Sequence, residues 1–245
     1  MLAFENVDKY YDDYHALKGI SATIERGEVV VVCGPSGSGK STLIRTVTRL
    51  EAIHGGCIRF EGRDVHARDV RVNQLRARIG FVPQKATLFT GTIAANIRYG
   101  REDASDEEVR HAAEVAQALE FIRAMPDGFE AQVSQGGTNL SGGQKQRLAI
   151  ARALVRRPDI YVFDDSSSAL DVATDARLRA ALASETAQSA VVVVSQRIST
   201  VVHADRIVVL DNGRVAGVGT HADLVERCAV YREIVDSQVT LEDVA

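Results

Sequence analysis

An α/β fold wound around a glycine-rich turn is predicted by three observations. The β-branched run EVVVVC at residues 28–33 leads directly into GPSGSGKST at 34–42, and then into apolar residues at helical spacing. Three further short apolar runs, DIYVFD, SAVVVVS and DRIVVLD, return late in the chain and read as core strands. Helical patterns lie between them, so strands and helices alternate as in a layered α/β domain.

Taken in order, residues 1–32 read as strands with turns, ERGE at 25–28 separating ISATI from VVVVC. The helix after GPSGSGKST carries Leu43, Ile44, Val47 and Leu50 on one face. GGCIRFEGRDV then reads as a strand and a turn, and QLRARIGFVPQ as a helix end followed by a strand that closes on Gln84. From about residue 85 to 156 the pattern is mainly helical, which marks a subdomain inserted into a single domain whose core is 1–84 and 157–245. There Ser105 and Glu108 make a capping box, with Val109, Ala112, Ala113, Ala116 and Leu119 following on one face. MPDG at 125–128 ends that run. A second helix is expected right after LSGGQ at 140–144, running through Leu148, Ala151, Leu154 and Val155 until Pro158. From His221 onward the chain reads as helical, with Leu224, Val225, Tyr231, Ile234 and Val235 as apolar contacts.

Composition narrows the function classes. At 245 residues the chain can bury a large core, and a net charge of −4 gives no broad electrostatic case for a nucleic-acid partner, though local basic patches stay open. Cys33, Cys57 and Cys228 are widely spaced and form no CxxC, which suits reduced thiols better than a disulfide frame or a zinc site. No run approaches the ~20 apolar residues that cross a bilayer, and MLAFENVDKYY lacks the basic and apolar regions of a secretory signal. The expectation is a cytoplasmic protein that serves a membrane, if at all, by docking to another chain.

GPSGSGKST fits GxxxxGK[ST], between the strand and the helix which that motif requires. Gly34, Gly37 and Gly39 let the backbone turn its amides inward around phosphate oxygens, Pro35, Ser36 and Ser38 completing the cradle, while the helix beginning near Lys40 directs its positive end at the same anion. Lys40 is expected at the β- and γ-phosphates, Ser41 on Mg²⁺, and Thr42 beside the α-phosphate. The competing reading, a glycine-rich turn without a ligand, leaves the flanking strand and helix unexplained.

With LSGGQ followed by KQRLAIARAL, the chain resembles the nucleotide-binding domain of ATP-binding cassette (ABC) transporters over essentially its whole length. The resemblance implies a P-loop NTPase with a RecA-like core, an N-terminal antiparallel β subdomain and an inserted α-helical subdomain. It implies ATP and Mg²⁺ as ligands, a second ABC ATPase domain, identical or not, as one partner, and transmembrane permease subunits as another. It places the chain on the cytoplasmic face of a membrane. In such domains LSGGQ belongs to the far side of a head-to-tail dimer, so Ser141, Gly142, Gly143 and Gln144 would meet the γ-phosphate held by the partner's phosphate loop. A serine, two glycines and a helix start do form an anion nest. Tyr11 lies where the family stacks an aromatic on adenine, with Tyr10 and Tyr14 as competing neighbours. Gln84 matches the glutamine that touches Mg²⁺ or its water, Asp164 the Walker B aspartate on Mg²⁺, and SALD at 168–171 the loop that crosses the dimer seam.

Two positions depart from the family pattern. Asp165 stands where glutamate usually polarises the attacking water, and is one methylene shorter. Gln196 stands where the switch loop usually has histidine; an amide can donate to the γ-phosphate but cannot exchange a proton. Either change alone can be drift, whereas together they resemble the degenerate site of asymmetric ABC exporters and imply tight ATP-driven closure with slow hydrolysis. Residues 1 to about 80 look most like importer ATPases for polar amino acids, and TLFTGTIAANIRYG, QGGTNLSGGQ and FDDSSSALD like exporter domains. A start directly on the first strand favours a stand-alone subunit or an excised domain. Two functions follow: an ATPase subunit that drives a transporter, or a nucleotide-binding regulatory switch with little hydrolysis of its own.

Overall fold

Alternating burial builds the first hairpin. Leu2, Phe4 and Val7 of β1 (Leu2–Tyr11) and Leu17, Ile20 and Ile24 of β2 (Tyr14–Ile24) point to one core, and the strands pair antiparallel from Leu2 opposite Ile24 to Tyr11 opposite Tyr14. The computed structural model describes residues 1–242. β3 (Val29–Cys33) is apolar and almost wholly buried, as a strand covered on both faces must be, and it delivers the chain into the phosphate loop and α1 (Lys40–Val47). That helix stops at Val47, because Arg49 turns to φ 53°, so Leu50 lies beyond it and is 52 % exposed. The expected helical apolar face is therefore one residue shorter. β4 (Gly55–Phe60), β5 (Arg63–Asp64), α2 (Val72–Ala77) and β6 (Ile79–Val82) follow as the residue pattern suggests.

The middle of the chain holds β7 (Gly91–Thr92), α3 (Ile93–Arg98), α4 (Asp106–Val115), α5 (Leu119–Arg123), β8 (Gln132–Val133) and α6 (Gly142–Leu154). It is mainly helical, with one short antiparallel ladder of β7 and β8 added. The Ser105 hydroxyl accepts from the Glu108 N–H at 3.2 Å and the Glu108 carboxylate accepts from the Ser105 N–H at 3.0 Å, the capping box that starts α4. Gln117 at φ 57° ends that run, so Leu119 opens α5 instead of extending α4. α6 begins within LSGGQ rather than after it. The Ser141 hydroxyl accepts from the Gln144 N–H at 3.2 Å and the Gln144 side chain accepts from the Ser141 N–H at 2.9 Å, which draws Gly142 into the first turn.

β9 (Ile160–Asp164), α7 (Val172–Glu185), β10 (Ala190–Val194), α8 (Ile198–Val201), β11 (Arg206–Asp211), β12 (Arg214–Gly219), α9 (His221–Arg227) and α10 (Ala229–Glu242) complete the described chain. Two sheets organise it. The antiparallel β2-β1-β4-β5 sheet is the expected N-terminal β subdomain. The larger sheet runs β12-β11-β3-β10-β9-β6, parallel except for β12 at its edge. One core joins the N-terminal sheet and α1 to the larger sheet through Ile20, Ile44, Val32 and Val192. A second runs from the helices of the middle segment to Tyr161, Phe163 and Val191 on the sheet's opposite face. A third packs Leu224 and Tyr231 from α9 and α10 against Val31, Ile207 and Val209.

Candidate nucleotide-binding site

Parallel strands gather polar residues at their carboxyl ends, and this sheet brings four such ends to one cleft. β3 ends at the phosphate loop, β6 two residues before Gln84, β9 at Asp164, and β10 two residues before Gln196. The cleft, about 340 Å³, is lined by Tyr11, Tyr14, Ser36, Gly37, Gly39, Lys40, Ser41, Thr42, Gln84, Asp165 and Gln196. Residues from five separate stretches of sequence thus share one cavity.

The loop is built where side chains do not fit. Gly34 has φ 147°, and a Cβ on it would stand 2.0 Å from the Leu210 carbonyl oxygen; Gly39 has φ 102°, and a Cβ there would meet the Ala16 carbonyl at 2.9 Å. Inside the loop Lys40 is buried, and its ammonium donates to the carbonyls of Gly34 at 2.8 Å and Pro35 at 2.7 Å and to the Ser38 hydroxyl at 3.4 Å. Burial lowers its pKa, and the carboxylates of Asp165 and Asp164 are among the groups that oppose the shift.

Asp164 is 1 % exposed at the end of β9. Its Oδ1 accepts from the Ser41 hydroxyl at 2.8 Å, a bond that crosses from the P-loop helix to a strand two places away in the sheet. Its Oδ2 has no hydrogen-bond partner, with the Arg45 guanidinium 3.6 Å away. A buried carboxylate oxygen left unsatisfied beside a serine hydroxyl is the donor set a hard cation takes, so Ser41 and Asp164 fit Mg²⁺. The amide nitrogen of Gln84 donates to Asp165 Oδ2 at 3.1 Å, which joins the end of β6 to the end of β9.

Asp165 sits at φ 46°, a left-handed conformation that costs most side chains energy and aspartate comparatively little. Its N–H is held by the Val194 carbonyl at 3.0 Å, which ties the residue to the end of β10. Burial raises its pKa, the Gln84 hydrogen bond works against that, and the neighbouring Asp164 charge adds to it. Gln196 is exposed in the loop after β10. The next residue, Arg197, donates to the carbonyls of Ser168 at 3.0 Å and Leu170 at 3.1 Å, so the switch loop is strapped to the SALD segment.

Of the three tyrosines, Tyr11 and Tyr14 line the cleft and Tyr10 does not. Strand alternation explains the split: Tyr10 stacks on His15 with ring centroids 4.0 Å apart, while Tyr11 has the Lys9 ammonium 4.7 Å from its ring centroid. Lys9 is itself paired to Glu51 at 3.0 Å. That hydrogen bond, with a further one from Tyr11, holds the Glu51 carboxyl below its usual range, so a small network fixes the ring. The Tyr14 hydroxyl adds a bond to the Gly37 carbonyl at 3.4 Å.

Ser141, Gly142, Gly143 and Gln144 are absent from the lining of this cleft. Ser141 and Gly142 are exposed at the start of α6. SALD lies against them: a Cβ on Gly143 would come 3.1 Å from the Ala169 carbonyl oxygen. Lys9, Glu51, Arg197 and Gln238 were not singled out in the sequence. Lys9 at i−2 from Tyr11 carries a strand-period signal and Arg197 adjoins Gln196, whereas Glu51 and Gln238 come from distant segments and carry none.

The fold and its loop define a P-loop nucleotide-binding domain. The family model described as ABC transporter matches residues 17–168. An uncharacterised ABC transporter ATP-binding protein of Mycobacterium tuberculosis is 44 % identical over 229 residues, 92 % of this chain and 39 % of that protein. ATP-binding cassette sub-family B member 6 of Homo sapiens is 42 % identical over 234 residues, 95 % of this chain and 28 % of that protein. A bacterial Atm1-family ABC exporter solved with ATP bound superposes with a TM-score of 0.92 at 39 % identity, over 97 % of this chain and 41 % of that one. The chain belongs to the ABC transporter family, as its ATP-binding domain. It spans less than half the length of these relatives, and the exporter likeness takes in its N-terminal third as well as the remainder.

Proposed function

We propose that the cleft binds MgATP and that the chain closes head to tail on a second ATP-binding domain, coupling nucleotide binding and slow hydrolysis to transport through transmembrane permease subunits. Export is the direction that the likeness to the ATP-bound exporter favours. The chain would then work at the cytoplasmic face of a membrane; among the described residues no helix is long and apolar enough to cross one itself. Residues 85–156 would form the helical subdomain and 1–84 with 157–245 the core.

The observation that carries this reading is the separation of two phosphate cradles on one chain. Ser36, Gly37 and Gly39–Thr42 line their own cleft, whereas the capped start of α6 lies outside that lining with Ser141 and Gly142 exposed. A second ATP-binding domain would bring Ser141 and the amides of Gly142 and Gly143 to a phosphate held here, with Gln144 fixing Ser141 in place.

Each residue then has a task. Tyr11 stacks on adenine, with Lys9 supporting the ring from one side. Gly34, Pro35, Ser36, Gly37, Ser38 and Gly39 turn backbone groups toward the phosphates, Thr42 stands beside the α-phosphate, and Lys40 exchanges loop carbonyls for β- and γ-oxygens. Ser41, Asp164 and Gln84 would hold Mg²⁺, which when bound neutralises charge between the β- and γ-phosphates. Asp165 orients the attacking water, and Gln196 donates an amide hydrogen to the γ-phosphate. Slow turnover follows from the short Asp165 side chain, one oxygen of which already accepts from Gln84, and from an amide at 196 that cannot exchange a proton.

Equilibrium binding and single-turnover hydrolysis of MgATP test this together. Wild type should bind and cleave slowly; Lys40→Met should weaken binding, and Asp164→Asn should abolish metal-dependent cleavage. Cleavage that survives Asp164→Asn overturns the assignment of the metal site.

A further inference from the structure

Helix α8, directly after the switch loop, begins without a local cap: Arg197, its N-cap residue, provides no side-chain hydrogen bond to the first turn. The N–H groups of a first helical turn need acceptors from elsewhere. The Ile198 N–H donates instead to Oε1 of Gln238 at 2.9 Å, forty residues away on α10. The other end of the same amide donates to the carbonyl oxygen of Gln196. One side chain therefore straddles the switch loop and binds the backbone on both sides of Arg197.

We propose that Gln238 is a positioning residue for hydrolysis: it sets the height of the switch loop, and so the place of the Gln196 amide relative to the terminal phosphate. The inference rests on the reading of Gln196 as the phosphate-facing residue. It extends the nucleotide site to the C-terminal helix, whose described side chains are not in the lining of the cleft.

Three contacts define the loop, and they are not equivalent. Ser195 is fully buried and its hydroxyl accepts from the Arg197 N–H at 3.1 Å, which anchors the strand side. The Arg197 guanidinium reaches the Ser168 and Leu170 carbonyls, which couples the loop to SALD. Gln238 alone of the three takes hold of the Gln196 backbone. The anchorage of α10 does not depend on Gln238, because Tyr231 is fully buried against β3 and β11 and its hydroxyl meets His221 Nδ1 at 2.8 Å. Substituting Gln238 should free the loop while leaving the helix docked.

The test compares Gln238→Leu, which removes both bonds, with Gln238→Glu, which keeps an acceptor for Ile198 and loses the donor to Gln196. Amide exchange at Ile198, the affinity for MgATP and the single-turnover rate are measured on the full chain. In Gln238→Leu the Ile198 amide should exchange faster, and the rate should fall about three- to tenfold, the worth of one neutral hydrogen bond, with affinity held within about twofold. In Gln238→Glu the amide should stay protected while the rate falls to a similar degree. Rate and exchange unchanged in Gln238→Leu overturn the proposal, as does a parallel loss of affinity and rate in both variants, the mark of a merely structural role. Gln196→Ala, run alongside, separates the two readings. If it cleaves at the wild-type rate, the role of Gln196 itself is wrong; if it is slow while Gln238→Leu is normal, only the role of Gln238 is.

Discussion

Asp165 combines three constraints in a single residue: a left-handed backbone, a carboxylate that Gln84 already engages, and the proposed duty of orienting water. Aspartate tolerates that backbone conformation better than glutamate does, so the short side chain has a local advantage to set against the catalytic cost proposed for it. Restoring the family's usual residues should separate the two. Asp165→Glu with Gln196→His should raise single-turnover hydrolysis of saturating MgATP by about a hundredfold or more, the scale of one well-placed acid–base group. It should also lower the melting temperature by about 2–4 °C for each kcal/mol lost to backbone strain. An unchanged rate in a folded double variant would mean that neither residue limits the chemistry.

At the scale of elements, the start of α6 serves two ends. The Ser141–Gln144 capping box completes a helix that forms much of the middle core through Leu148, Ile150 and Leu154, and it leaves Ser141 on the surface, where the proposed dimer would bring a phosphate. Ser141→Ala should therefore cost about 1 kcal/mol in thermal or denaturant unfolding, the usual worth of an N-cap. The affinity of the isolated chain for MgATP should stay unchanged, since Ser141 lies outside its own cleft; a matching loss of affinity would place Ser141 in the same site as Lys40. Elements set by local pattern were legible in the sequence, among them β3, the phosphate loop, the Ser105 capping box and the three late strands. Helix ends were not, because single residues such as Arg49 and Gln117 in left-handed conformations terminate α1 and α4 where apolar spacing continues. The cleft's inner wiring was also hidden. Gln84 and Asp165 are 81 residues apart, and Ile198 and Gln238 forty, so nothing local records that they meet.

For the whole molecule, the order of strands decides the function. Placing β10 between β3 and β9 sets Gln196 between the phosphate loop and Asp164, and Arg197 then ties that loop to SALD, which lies against Gly143. The chain's own cleft and the exposed start of α6 are thus joined through the Arg197 guanidinium and SALD. The central claim, that a complete site needs two chains, is tested most directly by mixing two disabled ones. Lys40→Met keeps the outward cradle and loses the phosphate loop; Ser141→Arg does the reverse. Sedimentation velocity at saturating MgATP should find each variant monomeric alone, and the equimolar mixture dimeric with a single retained nucleotide per dimer. Dimers formed by either variant alone, or a mixture that stays monomeric while wild type dimerises, would contradict the account.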